Sequence, residues 1–550
     1  MKAADLLVAC LEEEGVEYIF GVPGEENADF MLSLAESKKI RFILTRHEQG
    51  AAFMAEVYGR LTGNPAGCLG TLGPGASNLI TGVANANMDR VPMLVLTGQG
   101  STSRLHKESH QIMDVVGMFE PVTKWAISIR HPSTIPEIVR KAVRLSRMEK
   151  PGAVHIELPE DIAKEDAHER AMLPRRFFRS QPTPAVISQA FELLMCARKP
   201  VILAGNGCIR GRASEALRQF CEQTGIGVIS TFMAKGCVDQ DAPYCLYTVG
   251  LGSKDHSNLA LDDADLVFTL GFDMVEYHPS LWNAQRDKHI VHADFLAAEI
   301  DQCYHPEIEL VGDLTATLTE FSRLLKTRDY PPFDLTVQQD VRNAMRAELS
   351  EYAEDDTAGS IRPQKILWDV REVMGSCDIV LSDVGAHKMW IARHYHCHQP
   401  NTCLIPNGYC SMGFALPGAI AGSLVYPDRR ILAIAGDGGF LMNVQEMETA
   451  RRLQSNIVVM VWEDNSYGLI EWKQDTEFKR HTELGFGNPD WLQLAQSFGW
   501  KGHLCTQSRQ LKTILAQALD ESGPSLVVVP VDYRENALLT ERLGRIGKRM

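Results

Sequence analysis

At 550 residues the chain has room for about three or four domains, and its 45% apolar and 23% charged composition is that of a soluble globular protein. A formal net charge of −15 excludes nucleic acid as the main partner, and no apolar run reaches the length of a membrane span. Thirteen scattered cysteines with no CxxC pair predict free thiols in a reducing, cytoplasmic setting.

The first twenty residues, "MKAADLLVACLEEEGVEYIF", carry acids where a signal peptide needs an apolar core, so they predict an amphipathic first helix. Short apolar strands then alternate with helical patterns, the signature of parallel sheets built from βαβ units. A first block, 1–170, holds strands at "EYIF", "RFILTR", "AGCLGTL", "PMLVLTG" and "GAVHIEL". A connector at 172–184, "MLPRRFFRSQPTP", leads into a second block, 185–330, with "PVILAGNG", "GVIST", "DLVFTLGF" and "HIVHADF". The third block, 355–535, runs through "DIVLSDVG", "ILAIAGDGG", "NIVVMVWEDN" and "SLVVVPVDY", and 536–550 reads as a basic tail. The expected fold is α/β, with three doubly wound parallel-sheet domains. The first and third blocks are alike in size and layout.

The segment "ILAIAGDGGF" ends an apolar strand on Asp437 between glycines. In a parallel sheet, ligands bind beyond the carboxyl ends of the strands, where glycines let the backbone approach a phosphate. The helix to follow is expected at "VQEMETARRL". An acid in such a phosphate site needs a divalent cation. A second apolar strand, "NIVVMVW", ends in Glu463-Asp464-Asn465-Ser466-Tyr467-Gly468, one helix and one strand further on. Two adjacent parallel strands would bring both carboxylates to one sheet edge, a donor set suited to octahedral Mg²⁺.

A GDG followed at this distance by Asp resembles the thiamine diphosphate signature. "FGVPG" (20–24), "RHEQGAAFMAEVYGR" (46–60), "GPGASNLITGVANANMDRVPMLVLTGQ" (73–99), "NGYCSMGFALPGAI" (407–420) and "PVDYREN" (530–536) resemble the acetolactate synthase branch of these enzymes over essentially the whole chain. "GFDMVEYHPSLWN" (271–283) is most similar to the catabolic, FAD-independent members. The resemblance implies a pyrimidine-binding first domain, a Rossmann-like central domain and a diphosphate- and Mg²⁺-binding third domain. It implies thiamine diphosphate and Mg²⁺ as cofactors, with no FAD. It also implies a homodimer or homotetramer whose active sites lie between subunits.

By the same resemblance, Glu48 hydrogen-bonds N1′ of the aminopyrimidine and Met412 bends the cofactor. Asp437 and Asp464 bind Mg²⁺ together with the Ser466 carbonyl. Gly385, Ala386, His387, Gly436, Gly438 and Gly439 meet the diphosphate, and Gly408, Tyr467, Gly468, Leu469 and Ile470 complete the cofactor pocket. Gln111, with His110 beside it, faces the thiazolium. The implied reaction decarboxylates pyruvate, a 2-oxoacid, and joins the remaining two-carbon unit to a second 2-oxoacid, giving 2-acetolactate.

Glu25, after "GVPG", departs from that pattern: synthases have a small residue there and 2-oxoacid decarboxylases an acid. Lys473 is a second departure, standing where the catabolic synthases have glutamine. Against a decarboxylase, Ile470 occupies the place of its catalytic glutamate. A decarboxylase or carboligase releasing aldehyde or acyloin is thus the alternative. "GNGCIRG" (205–211) follows a strand but lacks dinucleotide-loop spacing, and the histidines of "RHYHCHQ" (393–399) are expected to be structural.

Overall fold

The computed structural model describes residues 1–175, 178–250, 255–327 and 330–536. Most of the expected basic tail at 536–550 therefore lies outside the described residues. The chain builds three six-stranded sheets, and every strand pair in them is parallel.

The first sheet contains β1 (Tyr18–Gly21), β2 (Arg41–Leu44), β3 (Ala66–Gly70), β4 (Met93–Gln99), β5 (Trp125–Ser128) and β6 (Ala153–Pro159), in the order β2-β1-β3-β4-β6-β5. The central sheet contains β7 (Pro200–Ala204), β8 (Val228–Ser230), β9 (Cys245–Thr248), β10 (Leu266–Leu270), β11 (His289–Asp294) and β12 (Ile308–Val311), in the order β12-β11-β10-β7-β8-β9. The third sheet contains β13 (Ile379–Ser382), β14 (Cys403–Leu404), β15 (Ile431–Gly436), β16 (Val458–Glu463), β17 (Lys501–Leu504) and β18 (Ser525–Pro530). Its order, β14-β13-β15-β16-β18-β17, repeats the topology of the first sheet strand for strand.

That order reverses between β1 and β3 in the first sheet and between β13 and β15 in the third. Such switch points open a crevice at the strands' carboxyl ends, where ligands bind in doubly wound sheets. The interior strands are buried on both faces, which accounts for their unbroken apolar runs.

The first and third sheets share one core. The helix Glu48–Thr62, rich in alanine, is buried nearly all round between the helices Pro74–Met88 and Ala415–Val425. Small residues set this close approach: a Cβ on Gly82 would stand 2.5 Å from the Ala52 Cβ, and one on Gly418 2.8 Å from Val57. The Phe53 and Phe414 rings meet edge-on at 5.7 Å across the same interface. No helix among the described residues is long and apolar enough to cross a membrane.

Candidate active site

β15 and β16 are neighbours, and Gly436 is in register with Trp462. The chains that leave them therefore start side by side at the sheet edge. Asp437 is buried, and its Oδ2 accepts the backbone N–H of Asn465 at 2.7 Å and of Asp464 at 3.2 Å. Asn488, from the loop before the helix Trp491–Ser497, donates to the same oxygen at 2.7 Å. Burial, and then the charge of Asp437, raises the Asp464 carboxyl well above its ordinary value. A Cβ on Gly468 would stand 2.5 Å from Asp464 Oδ2, so a side chain there would displace that carboxylate oxygen. The Ser466 hydroxyl donates to Glu471 at 2.6 Å, and the Tyr467 ring covers Gly438, 2.9 Å from where a Cβ would stand. Leu469 is half-buried and Ile470 is 48% exposed, both in the first turn of the helix Gly468–Phe478.

One local expectation is corrected. The helix that begins at Asp437 is the short Asp437–Met442, and "EMETARRL" forms a separate helix, Glu446–Leu453. Asn443 breaks the run: its backbone leaves helical geometry while its Nδ2 donates to the Gly413 carbonyl at 2.8 Å.

At the end of β13, Gly385 caps the helix Ala386–His394. Cβ atoms on Gly385 and Gly436 would both press on the His387 ring, which thus lies between the ends of β13 and β15. Burial pulls the His387 pKa down to about 3, so the ring is neutral, and its buried Nε2 has no partner among the described residues. Asp383, in "DIVLSDVG", carries no motif signal in the sequence. Its carboxylate accepts the N–H groups of Val384 (2.7 Å), Gly413 (2.9 Å) and Ala415 (3.0 Å), tying the turn that carries Met412 to the end of β13. A Cβ on Gly439 would stand 2.9 Å from the same carboxylate.

The first sheet supplies a second group. Glu48 opens its helix, is 8% exposed, and accepts Asn78 Nδ2 at 3.0 Å. A Cβ on Gly75 would lie 3.3 Å from Glu48 Oε1, and one on Gly73 3.1 Å from the Gln111 Cβ. Gln111 thus reaches the start of the helix Pro74–Met88, where Glu48 is held. His110 and Gln111 are both exposed. Glu25 is exposed just past β1, whereas its neighbour Glu26 accepts the Thr71 hydroxyl at 3.0 Å.

Within one chain, Glu48 and segment 407–411 lie toward opposite ends of the Pro74–Met88 helix. Segment 407–411 docks at the far end of the Pro74–Met88 helix: Gly408 N–H donates to Asp89 at 2.6 Å, Ser411 N–H to Asn85 at 3.2 Å, and a Cβ on Gly408 would stand 3.0 Å from Met88. Asn78, which holds Glu48, and Met88 are about 15 Å apart along the helix axis.

Two other motifs resolve differently. His394 is buried, and burial drives both His394 and His396 well below their ordinary pKa, while His398 pairs with Asp239 at 3.1 Å. In the central sheet, order reverses between β7 and β10, where "GNGCIRG" turns into the five-residue helix Asn206–Arg210. The carboxylate of Glu276 accepts Asn206 N–H there at 3.0 and 3.1 Å and the Thr231 hydroxyl at 2.5 Å. The chain's own acid takes the N–H that a dinucleotide phosphate would use.

Residues 1–118 match the N-terminal TPP binding domain of thiamine pyrophosphate enzymes, 187–321 their central domain, and 383–529 their C-terminal TPP binding domain. The chain belongs to the thiamine pyrophosphate enzyme family. It is 34% identical to the acetolactate synthase of Bacillus subtilis (strain 168), covering 97% of this chain and 94% of that protein. It is also 34% identical to the catabolic acetolactate synthase of Raoultella terrigena, over 98% and 97% of the two chains. A probable acetolactate synthase large subunit of Methanococcus aeolicus is 31% identical, over 97% and 92%.

The residues present fit the cofactor. An unpartnered neutral imidazole at His387 suits an anionic oxygen, and the buried Asp437 with the half-buried Asp464 at one sheet edge suits a divalent cation between them and a diphosphate.

Proposed function

We propose that this protein condenses two molecules of pyruvate, with release of carbon dioxide, to 2-acetolactate, at sites completed between two subunits. The single observation that carries the composite site is the separation of Glu48 from segment 407–411 along one rigid helix. A second chain, related by two-fold symmetry, supplies the missing half, so the working unit is a homodimer or a pair of dimers.

When bound, thiamine diphosphate supplies the carbanion chemistry by which a 2-oxoacid loses carbon dioxide. The chain's residues hold and tune it. Asp437, Asp464 and the Ser466 carbonyl bind Mg²⁺. The backbone at Gly385, Ala386, Gly436, Gly438 and Gly439 and the neutral His387 receive the diphosphate. Met412, fixed by Asp383, and Gly408 seat the rings, with Tyr467, Gly468, Leu469 and Ile470 along the wall. Glu48 holds a proton at the ring nitrogen N1′, in a buried position that keeps water from competing. Gln111 and His110 approach on the substrate side.

Whether the two-carbon unit is protonated to an aldehyde or passed to a second 2-oxoacid depends on acids within reach. Ile470 offers none, and Glu471 next to it is engaged by the Ser466 hydroxyl. That favours carboligation. The exposed Glu25 supports the second reading, a decarboxylase or carboligase releasing aldehyde or acyloin. The Glu276 carboxyl, which takes the Asn206 N–H, supports a reading without FAD. The thirteen free cysteines support a cytoplasmic location.

The test is the product spectrum from ¹³C-labelled pyruvate with thiamine diphosphate and Mg²⁺ and no flavin. Acetolactate as the main product is expected. Acetaldehyde would move the enzyme to the second reading.

A further inference from the structure

All three domains meet at a cavity of about 140 Å³, lined from Gly59, at the end of the helix that Glu48 opens, to Asn401. In a chain of net charge −15, its wall is arginine. Arg60 and Arg90 come from the first domain with Arg147, Arg179 from the connector, and Arg210 and Arg212 from the central domain. Among the described residues the one carboxylate on that wall is Glu149.

Acids reach four of these cations, and Glu149, Asp294, Glu276 and Asp273 together hold Arg210 charged against its burial. Arg60 has Asp89 at 3.7 Å, and Arg90 has Asp273 at 3.1 Å. Arg179 has Asp313 at 3.6 Å, and Glu149 is shared between Arg179 and Arg210, at 3.3 Å from each. That is longer than the roughly 2.7–2.9 Å of a strong charge-assisted hydrogen bond. Arg147 and Arg212, both exposed at the rim, have no carboxylate within 4 Å among the described residues. Arg210 is decisive: its side chain is 12% exposed, and its buried Nε and Nη1 have no acceptor among the described residues. A guanidinium withdrawn from water with two donors unmet is stabilised by an anion.

We propose that this junction is an anion site for a phosphoryl group, either free phosphate or the end of a small phosphomonoester. Its volume suits one phosphoryl group and a few waters, not a dinucleotide. Arg210 would meet the anion from the floor, while Arg147 and Arg212 close on it from the rim, the forked geometry by which guanidinium groups recognise phosphate. The anion would also hold the three domains together, since the arginines approach from separate segments. The proposal does not depend on the thiamine reading.

The test is calorimetric titration of inorganic phosphate, in phosphate-free buffer at ionic strength fixed with chloride. It uses the full chain with and without saturating thiamine diphosphate and Mg²⁺. One saturable site per chain is expected in both states, weakened about tenfold or more by Arg212→Ala and lost in Arg210→Gln. Arg212→Ala, at an exposed position, keeps the test decisive should Arg210→Gln fail to fold. Glycerol 2-phosphate is titrated in parallel: tighter binding than phosphate assigns the site to a phosphomonoester, and equal or weaker binding assigns it to the free ion. Heats no different from chloride, or affinity unchanged by Arg212→Ala, would overturn the proposal.

Discussion

The carboxylate of Asp89 accepts the N–H of Gly408 at 2.6 Å, which pins the segment carrying Met412 to the first domain of its own chain. Glu48 is held at the other end of the same helix, by Asn78. The packing of one chain thus sets Glu48 and the segment carrying Met412 toward opposite ends of that helix, and on our proposal a second chain completes the site.

Glu48→Gln keeps the shape of the side chain and its hydrogen bond to Asn78 but removes the proton-holding carboxyl. Acetolactate formation should fall by about 100-fold or more, the usual range for an acid–base group, with the circular dichroism spectrum unchanged. Near wild-type turnover would remove Glu48 from the mechanism.

Chelation should abolish activity and release the cofactor, and added Mg²⁺ should restore both. Asp464→Asn, which removes one of the two charged ligands we propose, should raise the Mg²⁺ needed for half-maximal activity by about tenfold or more. Activity retained after chelation would contradict the metal assignment.

Asp383 binds no substrate in this account, yet Asp383→Asn should lower stability by about 1–3 kcal/mol, because three backbone N–H groups lose a charged acceptor in a buried place. The same variant should raise the thiamine diphosphate concentration required for half-maximal activity, through the loosened Met412 turn. A lower melting temperature with unchanged cofactor requirement would leave Asp383 purely structural.

Burial pushes the Glu276 carboxyl from its ordinary 4.5 up to about 7, with Asp273 adding to the shift and Thr231, Asn206 and Arg210 opposing it. The folded chain then keeps a proton that the unfolded chain releases. Stability from this group is full below pH 4.5 and is lost as pH rises through 7, by at most about 1.4 kcal/mol per pH unit. Glu276→Gln should flatten the decline in melting temperature between those limits. An identical slope in wild type and variant would show that Glu276 is charged throughout.

The interior strands were legible because burial on both faces demands an unbroken apolar run: "ILAIAG" and "VVMVW" leave no other reading. Edge strands other than β2 were not. β5 (WAIS), β9 (CLYT), β12 (IELV), β14 (CL) and β17 (KGHL) are short, and β5, β12 and β17 are only partly buried, so their sequences resemble loops. The site divides the same way. Asp437 and Asp464 sit at the ends of readable strands. Asp383 and Asn488 act on loops distant in sequence, through backbone N–H groups and one carboxylate that no spacing announces.

The most direct test mixes two inactive variants. Glu48→Gln and Asp437→Asn chains, co-refolded in equal amounts, form mixed dimers in which one site carries both lesions and the other carries neither. A shared site predicts recovery of acetolactate synthesis to about a quarter of the wild-type rate, as random pairing under two-fold symmetry requires. No recovery, in mixed dimers shown to have formed, would contradict a site built between subunits.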